Sequence, residues 1–158
     1  MLAFRSSLAQ LTLRLSSRFR HFQLEPKEQA DAMHYAILCY DSEEVVGSWT
    51  KEEDDLVMAK LMVVQKKLAR EGKLGPVARL MPTTRAKTLR KGGASPSAPA
   101  MDGPFAETKE MLLGFFVVDC ATFDDAIDAA RQLAQANRTK GAYEIRPMSL
   151  FQPTPPVD

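Results

Sequence analysis

Side chains that could do chemistry gather most densely between Asp102 and Glu110, where Asp-Gly-Pro-Phe-Ala-Glu-Thr-Lys-Glu leads straight into the apolar run Leu112 to Cys120. Asp102 and Glu107 are carboxylates suited to general-base work. Lys109 is a cation suited to holding an anionic substrate group, and all three fall within a short reach of a strand entrance. These three residues are the catalytic candidates. A plainer reading stands beside that one: Asp before Gly bonds its own backbone, and Glu and Lys along a solvated loop commonly stay solvated. Pro104 is then a rigid corner and Phe105 a packing anchor. Under either reading Asp-Gly-Pro is a turn, because Gly admits unusual backbone angles, Pro fixes φ, and the residue before Pro is pushed out of helix.

Three further residues are ligand-binding candidates: His34, Tyr40 and Phe105. His34 opens an apolar run and reaches either a cavity or its rim, and the rim is the better fit because strand starts are commonly exposed. Tyr40, like Trp49, lines a pocket or packs in the core. Other constellations drop out quickly. The sequence has no HExxH, CxxC, Walker loop or GxGxxG, so it gives no support to metal hydrolysis, thiol redox chemistry or nucleotide-phosphate binding, and neither metal nor cofactor is expected. Ser95 and Ser97 have no triad partner. A basic stripe, Arg79, Arg85, Lys87, Arg90 and Lys91, either meets an anion or protects an exposed edge from aggregation.

The elements that must position these residues follow from local patterns. His34 to Tyr40 is rich in strand formers. Alternation places His34, Ala36, Leu38 and Tyr40 on one face and Tyr35, Ile37 and Cys39 on the other. Thr50 with Glu53 is a capping-box pattern, and Val57, Leu61, Val64 and Leu68 then recur on one stripe, predicting a helix of roughly twenty residues that stops before Gly72. Gly72 to Pro82 reads as an irregular strand, and Ala86 to Arg90 as a weaker one. Gly92 to Ala100 reads as a mobile loop of small residues and Pro, and Leu112 to Cys120 as an interior strand. Thr122 caps a second helix with apolar positions Phe123, Ala126, Ile127, Ala130, Leu133 and Ala134, ended by Arg138, Lys140 and Gly141. Ala142 to Met148 is the last strand.

Composition sets the outer bounds. A chain of 158 residues with 45% apolar residues fits one domain with a reasonable core. Its 21 basic and 20 acidic residues leave a net charge of +1, so no global field favours nucleic acid or an anionic membrane. No apolar run approaches the length of a bilayer span, so the expectation is a soluble, cytoplasmic protein with no membrane partner. Cys39 and Cys120 both lie in apolar runs and read as reduced core thiols, with a disulfide between them open if the strands are neighbours. Residues 1–32 differ in kind. Arg5, Arg14, Arg18 and Arg20 occur there among Ser and Leu, with no acid before Glu25. This appendage reads as an organelle-targeting peptide over residues 1–24, an upstream-start artefact, or an accessory helix. A Pro-rich tail occupies residues 151–158.

The order of strands and helices is that of an α+β ferredoxin-like split βαβ, with two helices on one face of an antiparallel sheet. Strands apolar on both faces then need a second cover, most simply another copy of the chain, which predicts a homodimer. The run from Asp102 to Glu110 resembles, nearly letter for letter, the signature of the DGPFAETKE branch of the YCII-related proteins, with support from Gly114 and from Glu144-Ile145-Arg146-Pro147. The resemblance covers roughly residues 33–150. It implies the dimeric α/β-barrel type, in which two sheets face each other. It implies a domain of undetermined activity. The first expectation for it is a small-molecule-binding or catalytic protein, with the small molecule in a cavity of the homodimer and the site between sheet and first helix, roofed by the Asp102 turn. Its alternative is a non-enzymatic dimerisation or regulatory module, since DGPFAETKE proteins are often linked to extracytoplasmic-function sigma factors. Some YCII-related proteins use a His–Asp pair with the His on the first helix. This chain has no His between Thr50 and Gly72, so that pair is not carried over.

Overall fold

A computed structural model describes residues 33–90, 100–106, 108–137 and 139–153. The appendage at 1–32, the small-residue loop at 91–99, Glu107, Arg138 and the end of the Pro-rich tail lie outside the described residues. The elements are β1 (Met33–Asp41), α1 (Glu43–Gly47), α2 (Lys51–Arg70), β2 (Leu74–Arg79), β3 (Lys87–Thr88), β4 (Met101–Asp102), β5 (Met111–Cys120), α3 (Phe123–Ala136) and β6 (Ala142–Pro147).

The local signals explain why the long helix forms where it does. Thr50 accepts from the Glu53 backbone N–H while the Glu53 carboxylate accepts from the Thr50 N–H at 2.8 Å, satisfying two orphan donors at once. At the other end Gly72 takes φ +69, Gly72 N–H donates to Ala69 O and Lys73 N–H donates to Leu68 O. This is a Schellman stop, which requires a residue tolerant of positive φ at that site. β2 follows at once.

Four strands form one sheet in the order β2-β5-β1-β6, every neighbouring pair antiparallel. Each strand–helix–strand unit is split by a strand of the other. β5 enters between β1 and β2, and β1 lies between β5 and β6, an arrangement compatible with a ferredoxin-like fold. Helices α2 and α3 pack on the face carrying Tyr35, Ile37, Phe116, Val118 and Cys120, where Leu68 (1% exposed), Ala126, Ala129, Ala130 and Leu133 complete the core. The small residues of α3 let that helix approach the sheet closely. Its buried stripe runs through Ala126, Ala129, Ala130, Leu133 and Ala136, so Ala134, expected inside, points outward, and the helix stops at Ala136 with Asn137 as its cap. Cys39 and Cys120 are both free, and β1 pairs them with Gly114 and Met33 respectively, well apart along the sheet.

Two short elements, α1 and β4, were not anticipated. Ser42 caps α1, accepting from Val45 N–H, and β3, inside the weak strand expected over Ala86 to Arg90, pairs with β4 in a separate two-stranded ladder that carries Asp102.

Candidate functional site

The sheet-facing stripe of α2 is not equally buried along its length. Leu68 is sealed against the sheet, whereas Val57, Met58, Leu61 and Val64, nearer the helix start, are only half-buried. Beneath that half lies a cavity of about 110 Å³. Its walls are Val57, Met58 and Leu61 from α2, Val77 from β2, Phe116 from β5 and Cys39 from β1, with Val46 and Trp49 at the α1 side. The β1–β5 register slips between Cys39 and Tyr40 beside the cavity, and Gly114, which lines it, lets the β2 backbone approach β5 closely.

Polar groups stand at two places around this apolar lining. At one, Arg79 on β2 meets Asp54 on α2 in a two-pronged pair, Nη1 to Oδ2 at 3.0 Å and Nη2 to Oδ1 at 2.7 Å. The guanidinium bond holds the Asp54 carboxyl below its ordinary range, and the same bond raises Arg79. At the other, the Tyr143 hydroxyl lies within bonding reach of the Cys39 thiol and the Asn137 amide. Burial pushes Cys39 up to about 12, opposed by its Tyr143 bond, and burial likewise raises Tyr143. Both groups are therefore neutral near pH 7, and Cys39 is a protonated, weakly nucleophilic wall residue. Asp41, 7% exposed, accepts from Ser42 N–H at 2.9 Å and from the Thr139 hydroxyl, pinning the end of β1 to the loop after α3.

The candidates read from the sequence fall in several places. Tyr40 lines the cavity. His34 lies at the opposite end of β1, its ring 4.4 Å from that of Phe151, roughly 16–17 Å along the strand from Cys39 at about 3.3 Å per residue. Asp102 is exposed on the β3–β4 ladder and paired with Lys87. Gly103 takes φ +96 and donates to Ala86 O at 3.0 Å, so the Asp-Gly-Pro corner is a left-handed turn tied to the preceding segment. Phe105 is 72% exposed, with the Arg90 guanidinium 5.2 Å from its ring centre. Lys109 borders a separate open groove with Glu43, Thr83 and Thr84. There the Glu43 carboxylate accepts from Thr83 N–H at 2.7 Å and from Thr83 Oγ1 at 2.6 Å, latching the chain after β2 to α1. Among the described residues of the motif, none lines the sheet–α2 cavity, so the turn does not roof it.

The sheet–α2 cavity lies beside the helix expected to start at Thr50, and most of its lining was not among the candidate residues. Asp54 was not singled out, Arg79 read as part of a basic stripe, and Tyr143 and Cys39 fell in expected strands. Among the described residues no three His, Cys, Asp or Glu side chains cluster as a metal site, and no helix is long and apolar enough to cross a membrane.

Comparison with known proteins places this geometry in a family. The family model of the YCII-related domain matches residues 33–152, from the first residue of β1 to beyond β6. The chain belongs to the YCII-related family. Within it, the chain is similar to Uncharacterized protein R00369 of Rhizobium meliloti (strain 1021), at 55% identity over 121 residues, covering 77% of this chain and 96% of that protein. This YCII-related domain therefore includes every wall of the sheet–α2 cavity, because all the lining residues fall between Cys39 and Tyr143.

Proposed function

We propose that this protein is a small-molecule-binding module whose ligand occupies the cavity between the sheet and α2. The observation that carries the reading is the stand-off of the α2 stripe: Val57, Met58 and Leu61 are apolar, face the sheet, and leave about 110 Å³ between them and Val77 and Phe116. Close packing normally removes such space, since each void loses contacts on every wall. Apolar walls with a few polar groups at defined points are the usual make-up of a ligand pocket. An apolar protein cavity of about 150 Å³ accepts benzene, so the ligand body here is small, roughly four to six carbons.

The module acts as a homodimer in this proposal. The sheet face away from α2 and α3 carries Leu38 of β1 opposite Phe115 of β5, both half-buried, beside Ala36 and Val117, which are already buried in the single chain; a second copy would complete the cover over the half-buried pair. Equilibrium sedimentation at micromolar concentration reads that part, with single chains throughout contradicting it. The ligand part is tested by thermal-shift screening of small organic molecules against the wild type and Leu61→Trp, whose indole fills the cavity. The proposal expects at least one compound to raise the wild-type Tm and to leave the variant unmoved. No shift in the wild type, or an equal shift in both proteins, contradicts it, and the dimerisation or regulatory module then becomes the better reading.

A further inference from the structure

We infer that the ligand of this cavity is a small monocarboxylic acid, whose carboxylate takes the Arg79 fork in place of Asp54 while its hydrocarbon body enters the cavity; this rests on the ligand-binding reading above. Arg79 and Asp54 both line the cavity, on opposite walls, one from β2 and one from α2. The guanidinium is the one cationic group among the lining residues, and Asp54 already demonstrates that a carboxylate fits it with two parallel bonds, at 3.0 and 2.7 Å. Planar fork recognition of this kind selects carboxylates and is not supplied by a point charge.

The existing pair is easily exchanged. Arg79 is half-exposed and Asp54 about one-third exposed, and ion pairs so open to water hold weakly. An incoming carboxylate loses the same hydration as Asp54 but adds burial of its hydrocarbon body against Val57, Met58, Leu61 and Val77, which Asp54 cannot match. Asp54 thus acts as a built-in competitor that keeps the guanidinium paired while the cavity is empty. At the far side of the cavity the Tyr143 oxygen keeps an acceptor lone pair that a ligand hydroxyl can use, so a hydroxy acid fits better than a plain one.

The test uses isothermal titration of the full chain with 4-methylpentanoate, with 4-methylpentanamide and 4-methylpentan-1-ol as neutral counterparts. The acid is expected to bind about ten- to a hundredfold more tightly than the amide, in line with a charge-assisted double bond. Arg79→Gln should erase that preference, and Asp54→Asn should tighten the acid by about two- to fivefold by removing the competitor while keeping the shape. Because Asp54→Asn lies on a helix surface, it remains informative even where the Arg79 variant folds poorly. Equal binding of acid and alcohol, or weaker acid binding in Asp54→Asn, overturns the carboxylate assignment and leaves the cavity reading intact. Binding of none of the three compounds overturns both.

Discussion

Adding one methyl group at Gly114 should damage the sheet and the candidate site together. Gly114 lies in β5 opposite Arg79 of β2, and a Cβ built there would meet the Ala78 carbonyl oxygen at 2.5 Å and the Arg79 Cα at 3.3 Å. Both are backbone atoms, so no side-chain rotation relieves the clash and β2 must move away from β5. Overpacking of that kind costs about 1–3 kcal/mol. At this chain length each kcal/mol lowers Tm by about 2–4 °C, so Gly114→Ala should lose roughly 2–12 °C in a calorimetric melt. Gly47→Ala is the matched control, since a Cβ at Gly47 meets nothing within 4 Å and the residue ends α1. That change should lie within about 0.5 kcal/mol of the wild type or stabilise slightly. The shift of β2 should also spread the Arg79–Asp54 fork and weaken acid binding beyond what stability explains. A Gly114→Ala protein that melts no lower than Gly47→Ala would refute the close approach of β2 and β5 on which the site geometry rests.

Two further expectations concern the helix start and the buried thiol. Thr50→Ala removes the acceptor for Glu53 N–H and half of the capping box, and should cost about 1 kcal/mol in urea unfolding; no change would mean the cap is not formed in solution. Burial raises Cys39 to about 12 from the ordinary 9.0, so below pH 9 folded and unfolded chains hold that proton alike. Between pH 9 and 12 the unfolded chain gives it up first. The folded state then binds more protons and stability should fall as pH rises. Tyr143, raised by the same burial, adds to the fall at its upper end. Unfolding free energies measured from pH 8 to 11 should decline less steeply in Cys39→Ala, and equal slopes in the two proteins would contradict the buried thiol.

What the sequence made legible was local. The Thr50/Glu53 box, the Gly72 stop and the apolar run ending at Cys120 each carry their structural meaning within a few residues, and α2 and β5 follow them closely. Two of the shortest elements were opaque: α1 has a cap but only one and a half turns, and β4 is fixed by pairing with β3 across a gap in sequence. The proposed site was expected only as a position between sheet and helix. Its parts are assembled by topology, with Asp54 and Arg79 twenty-five residues apart and Cys39 brought beside Tyr143 by the β1–β6 pairing. Motif density and the sheet–α2 cavity mark different places for a related reason. Asp102 to Glu110 is rich in charged and turn-forming residues because it makes an exposed corner, while the cavity is built from residues that look like ordinary core.

The most direct measurement is a methyl and amide NMR titration of the full chain with 4-methylpentanoate. The account predicts saturable shifts at the methyl groups of Val57, Met58, Leu61 and Val77 and at the Arg79 side-chain N–H groups, with the amides of Asp102 and Phe105 unmoved. Shifts confined to the 102–110 corner, or none at the sheet–α2 methyl groups at millimolar ligand, would contradict it.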